Sequence, residues 1–189
     1  SYGFRPDRNQ RMAIETAQCI VNNGKKVVVD IDISKFFDRV HHDRLISRLS
    51  LFISDKRILR IVGMTLRSGV MMADGGITPS LEGTVQGSPL SPLLSNVVLD
   101  ELDKELERRG LAFCRFADDS IIFVRSWKAA ERVMESITRF IETRLKLLIN
   151  QRKSKVALSK DVVFLGMTIV QGTIAIAARS LNRAMQKVK

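Results

Sequence analysis

Apolar positions recur at helical spacing in some stretches and at strand-like density in others, without regular alternation of the two. In residues 9–22 (NQRMAIETAQCIVN), Met12, Ala13, Ala17 and Ile20 fall at helical intervals, and Gly24 follows as a stop. Residues 25–33 (KKVVVDIDI) hold too dense a Val and Ile run for one helix face and predict a buried strand. Residues 41–69 suit two helices broken near Ser54 and Asp55, and residues 70–83 predict a hairpin turning at Asp74, Gly75 and Gly76. Residues 91–109 predict a helix that Gly110 ends. Residues 111–117 (LAFCRFA) and 120–125 (SIIFVR) are two apolar strands separated only by Asp118 and Asp119. Ser126 is placed to cap the next helix, which carries Ala130, Met134, Ile137 and Ile141 on one face. Short strands follow in 154–159, 162–170 and 173–178, with a turn at Gln171 and Gly172. Mixed elements without βαβ order predict an α+β fold with an antiparallel sheet packed on helices.

Composition adds a partner class. Of 189 residues, 45% are hydrophobic, enough for a packed core. Lys and Arg outnumber Asp and Glu by 31 to 20, a net charge of +11, which suits a polyanionic partner such as nucleic acid. No apolar run reaches the roughly 18–20 residues of a membrane span. Cys19 and Cys114 form no CxxC pair, so each reads as a reduced core thiol of a cytoplasmic protein.

Against this positive background, the carboxylates in apolar surroundings stand out. Asp30 and Asp32 lie two apart on one strand, hence on one face. Asp118 and Asp119 lie at a hairpin tip. An exposed turn is the plain reading of that pair, since Asp is common in turns. Both clusters together suggest more, because buried like charges need something positive nearby. A hard cation such as Mg²⁺, which takes oxygen ligands and substrate phosphates, meets that need. If the first strand neighbours the hairpin, Asp32 and Asp118 would flank a metal pair suited to phosphoryl transfer.

Five blocks in order carry a family resemblance. CRFADDSIIFV (114–124) resembles the YADD-containing palm motif of reverse transcriptases, with Phe116 in place of the usual Tyr. VVVDIDISKFFDRVHHDRL (27–45) looks like the strand bearing their first catalytic Asp, here Asp32 and not Asp30. GTVQGSPLSPLLSNVVLDELDKELERRG (83–110) is similar to the Gln-Gly-Ser-Pro block, SYGFRPDRN (1–9) to the motif upstream of the palm, and LKLLINQRKSKV (145–156) with FLGM (164–167) to the last palm blocks. The wording is closest to bacterial group II intron-encoded reverse transcriptases, or maturases. Val85 and Arg152 depart from the family's common Pro and Glu.

The resemblance implies a right-hand polymerase. Residues 25–39 and 89–189 would be palm, and residues 1–24 and 40–88 part of the fingers. The first fingers block, the thumb and the RNA-binding maturase region, with any endonuclease segment, are expected to be absent from this stretch. Asp32, Asp118 and Asp119 would be the catalytic, metal-holding acids for two Mg²⁺ ions, with Mn²⁺ as a substitute. Phe37 would lie under the incoming sugar and disfavour a 2′-hydroxyl. Gln86 and Gly87 would contact the nucleotide, and Lys153 the triphosphate. His42 is expected to start a helix or pack rather than act as acid or base. Arg57, Arg60, Arg67, Arg108 and Arg109 are candidates for tracking a nucleic-acid backbone, or are solvated helix faces. The implied partners are an RNA template, a DNA primer, dNTPs and an intron RNA, with no membrane. A catalytically inactive RNA-binding palm and a retron-type or other right-hand polymerase are the alternatives.

Overall fold

The computed structural model describes residues 1–67, 70–71, 77–78, 83 and 90–188. Helix α1 (Gln10–Asn22) leads into strand β1 (Val27–Ile31), a 3₁₀ turn at Phe36–Asp38, and helices α2 (His42–Leu49) and α3 (Lys56–Arg67). Short strands β2 (Val70–Met71) and β3 (Ile77–Thr78) pair antiparallel, as the predicted hairpin requires. Its turn lies outside the described residues. Helix α4 (Ser91–Arg108), strands β4 (Ala112–Phe116) and β5 (Asp119–Val124), and helix α5 (Trp127–Phe140) follow. A π-helical turn (Ile141–Leu145), β6 (Lys155–Leu158), β7 (Met167–Val170), β8 (Thr173–Ile176) and α6 (Ala178–Val188) complete the order.

The main sheet runs β4-β5-β1-β6, each neighbouring pair antiparallel. Successive residues of β1 point to opposite faces, and both faces are covered. Val27, Val29 and Ile31 join Ile122 and Val124 in a core with Leu94, Leu99, Leu102 and Leu106 of α4 and Ala130 and Ile137 of α5. Val28 joins Cys114, Ile121 and Phe123 in a second core with Ala13, Ala17 and Val21 of α1. Two-sided burial is why β1 reads as a dense apolar run, interrupted at Asp30, rather than an alternation.

Local signals account for most element ends. The Asn9 side chain caps α1, accepting from the Met12 amide at 2.9 Å, and Ser126 caps α5 through the Ala129 amide at 3.3 Å. Pro92 sits in the first turn of α4, where its missing N–H costs nothing. Gln171 and Gly172 both have positive φ, 49° and 80°, as a tight two-residue hairpin turn demands. That β7–β8 hairpin is a separate two-stranded sheet, and the Gly172 carbonyl accepts from Gln18 on α1 at 2.9 Å.

Two expectations need correction. Cys19 is exposed, not a core thiol, because α1 turns Ala13, Ile14, Ala17 and Val21 inward. Cys114 alone is buried. Strand β5 begins at Asp119, so the turn is Ala117-Asp118 rather than the two aspartates. The C-terminal helix α6 was not signalled by the strand-like pattern preceding it.

Candidate active site

Sheet register brings the two acidic clusters together. Ile31, the last residue of β1, pairs with Ser120, so Asp32, the residue after the strand, is carried to the end of the sheet where Asp119 starts β5, close enough for its charge to raise the Asp119 carboxyl. The Asp32 amide donates to Ser154 Oγ at 3.0 Å, and its carbonyl accepts from the Asn150 amide at 2.8 Å. The 150–154 segment thus fixes the Asp32 backbone. It also sets Lys153, whose Nζ lies 3.5 Å from Asp32 Oδ2. Lys153 is 70% exposed, so this pair adds little stability but leaves a cation beside the carboxylate.

The turn that carries Asp118 is held from beneath. Ala117 has φ 56°, a left-handed conformation unusual for a residue with a Cβ. Arg115, completely buried, donates from Nη1 to the Ala117 carbonyl at 2.7 Å and to Asn96 Oδ1 at 3.0 Å. Its Nε and Nη2 donate to Asp103 Oδ1 and Oδ2 at 2.7 and 2.6 Å. Asn96 Nδ2 in turn donates to the Gly3 carbonyl at 2.9 Å, and the Tyr2 amide to the Arg115 carbonyl at 2.8 Å. The Phe116 ring tilts against Phe4, centroids 6.3 Å apart. Sequence reasoning passed over Arg115, Asn96 and Asp103. The available signal was an Arg inside an apolar strand, which must find a buried partner.

Charge at the tip is strongly negative. Burial, then Asp119, lifts the Asp30 carboxyl to about 6, with Lys155 opposing and Asp32 adding to the rise. Asp119 touches solvent, yet desolvation by the surrounding protein, then Asp118 and Asp32, raises its carboxyl against the pull of Lys153. Asp30 and Asp119 therefore each feel neighbouring carboxylates. Among the described residues no three His, Cys, Asp or Glu side chains stand close enough to enclose an ion. The donors fit Mg²⁺ in its substrate-assisted form, in which one or two carboxylates, waters and phosphate oxygens share the coordination. They do not form an all-protein cage.

Other expected residues fall as follows. Phe37 is half-buried and meets Phe36 edge to face at 5.2 Å. Gln86 and Gly87 lie outside the described residues. His42 opens α2, is buried, and bonds through Nε2 to the Gly83 carbonyl at 2.6 Å, a packing role. A Cβ at Gly83 (φ 89°) would lie 2.7 Å from the Phe37 carbonyl, so this close approach requires glycine. Of the candidate backbone-tracking arginines, Arg57 pairs with Asp55, Arg67 with Asp43, and Arg108 and Arg109 with Glu105. Those four are engaged with neighbouring acids, as solvated helix faces commonly are.

Among the described residues, no helix is long and apolar enough to cross a membrane. A family model described as reverse transcriptase (RNA-dependent DNA polymerase) matches residues 1–169. Protein YkfC of Escherichia coli is 31% identical over 90% of this chain and 55% of its own length. The group II intron-encoded protein LtrA of Lactococcus lactis is 32% identical over 84% of this chain and 25% of its own. This chain thus spans about half, or a quarter, of these relatives. In fold it matches apo telomerase from Candida tropicalis with a TM-score of 0.69, at 12% identity, over 91% of this chain and 37% of that one. Ordered motifs, an antiparallel sheet flanked by helices, and aspartates facing one another at its end agree with these matches: the chain belongs to the reverse transcriptase family, with group II intron-encoded proteins among its relatives.

Proposed function

We propose that this chain is the fingers–palm portion of an RNA-directed DNA polymerase of the group II intron-encoded type. The observation that carries the reading is the Ile31–Ser120 pairing, which brings Asp32 to the end of the sheet where Asp119 and the turn bearing Asp118 lie. Residues 25–39 and 89–189 are read as palm, and 1–24 and 40–88 as part of the fingers. Asp32, Asp118 and Asp119 hold the divalent ions. Bound there, Mg²⁺ supplies charge neutralisation of the triphosphate and a lowered pKa for the primer 3′-hydroxyl. The chain's own residues position the reactants. The primer 3′-oxygen bonds to the α-phosphorus of the dNTP as the bond to pyrophosphate breaks, and the hydroxyl proton passes to solvent water. Lys153 balances charge on the departing pyrophosphate. Phe37 packs under the sugar and disfavours a 2′-hydroxyl, while Gln86 and Gly87 border the nucleotide. Catalysis of this kind is mostly positioning and electrostatics. The partners are an RNA template, a DNA primer and an intron RNA, in the bacterial cytoplasm.

Primer extension on an RNA template with Mg²⁺ tests the reading, comparing this segment with a version lengthened at both ends. Incorporation by the longer version, abolished by Asp32→Asn, is expected. Phe37→Ala is expected to admit ribonucleotides. Salt-sensitive RNA binding without any dNTP incorporation by either version would replace the polymerase with a non-catalytic RNA-binding palm.

A further inference from the structure

The acids of the tip are not self-supporting. The turn between β4 and β5 has only Ala117 and Asp118, and Ala117 occupies a left-handed conformation that disfavours residues with a side chain. Contacts from beyond the two-residue turn must over-determine that conformation. Three contacts do so from three parts of the chain. From within β4, Arg115 Nη1 grips the Ala117 carbonyl at 2.7 Å. From α4, Asp103 takes both remaining faces of the same guanidinium and Asn96 accepts a further bond, so the Arg115 fork has no freedom to swing. From the N-terminal segment, Gly3 lies so close that a Cβ there would stand 2.4 Å from the Ala117 amide nitrogen and 3.0 Å from the Phe116 carbonyl carbon. Asn96 closes the circle by holding the Gly3 carbonyl.

We propose that Arg115, locked by Asp103 and Asn96 and backed by Gly3, is a positioning residue that aims the Asp118–Asp119 carboxylates at the position opposite Asp32. Arg115 faces away from that position. Its strand neighbour across the sheet is Ser120, on the face covered by α4, whereas Asp119 and Asp32 belong to the other face. It therefore acts through the Ala117 carbonyl and not on any ligand. The network thus joins the N-terminal segment, α4 and the β4–β5 turn, three parts of the chain far apart in sequence. This inference rests on the proposed metal-holding role of the aspartates.

The test reads divalent-ion binding rather than turnover. Mn²⁺ affinity of the chain in the presence of a dNTP is measured by water proton relaxation, alongside urea unfolding, for the native chain, Asp32→Asn, Arg115→Lys, Asn96→Ala, Gly3→Ala and the control Ile137→Val. Ile137 is buried in the α5 core, away from the turn, so its variant reports a stability loss alone. Arg115→Lys keeps the charge on Asp103 but loses the fork. Gly3→Ala leaves every polar group intact and forces the N-terminal segment and the turn apart. Groups that orient metal-holding side chains commonly account for about ten- to a hundredfold in affinity. A loss of about tenfold or more is expected in Arg115→Lys and Gly3→Ala, with Ile137→Val unchanged. If Arg115→Lys does not fold, Gly3→Ala and Asn96→Ala decide the matter by the same criterion. Native Mn²⁺ affinity in the folded variants, with loss in Asp32→Asn, would overturn the positioning role alone. An unchanged Asp32→Asn would instead overturn the metal-holding reading beneath it.

Discussion

Replacing Asp103 by Ala removes the partner of a cation that water cannot reach. The Arg115 side chain is 0% exposed and the Asp103 side chain 6%, and both carboxylate oxygens are used at 2.7 and 2.6 Å. Arg5 also approaches Asp103, at 3.5 Å, so it too loses an anion. Breaking a buried pair from one side strands the remaining charge, which costs about 3–5 kcal/mol. For a chain of this size each 1 kcal/mol moves Tm by about 2–4 °C, so a drop of roughly 6–20 °C is expected. An exposed pair of comparable length sets the scale. Arg139 and Glu135 lie 2.8 Å apart at 71% and 73% exposure. Arg139→Ala should cost no more than about 0.5 kcal/mol. The assay is urea unfolding followed by far-UV circular dichroism, with m-values compared across variants. A double replacement, Asp103→Leu with Arg115→Met, removes both charges and fills the volume, and should recover most of the loss. An Asp103→Ala cost below about 1 kcal/mol at unchanged m-value would refute the reasoning, because the guanidinium would then have found solvent.

Other consequences follow from single environments. Leu99, 0% exposed between α4 and the sheet, should lose about 2–5 kcal/mol on truncation to Ala, read by the same unfolding curves. His42→Ala leaves the Gly83 carbonyl without its 2.6 Å partner and should cost about 1–3 kcal/mol, with no change in the pH dependence of any activity beyond that loss. Cys19 should be alkylated in the native chain and Cys114 only after unfolding, counted by mass spectrometry. Burial pushes the Cys114 thiol up to about 12, so it stays protonated and unreactive at neutral pH.

Much of this protein is written locally. The helix cap at Ser126, the Gly110 stop, the positive-φ turn at Gln171-Gly172 and the dense Val run of β1 each depend on neighbours a few residues away, so the sequence alone determined those elements. The ordered motifs likewise determined the family. The sequence could not decide what depends on pairing between distant segments. That Asp32 meets Asp119 follows from one choice of strand register, and a one-residue slip would put them on opposite faces. Arg115 looks like a stray charge in an apolar strand until α4 supplies Asp103 and Asn96. Cys19 looks like a core thiol until the packing of α1 on the sheet fixes which of its faces turns outward. Periodicity specifies a helix or strand because it is a property of consecutive residues. Register, buried charge pairing and helix rotation are settled only when the sheet closes and two cores form on its opposite faces.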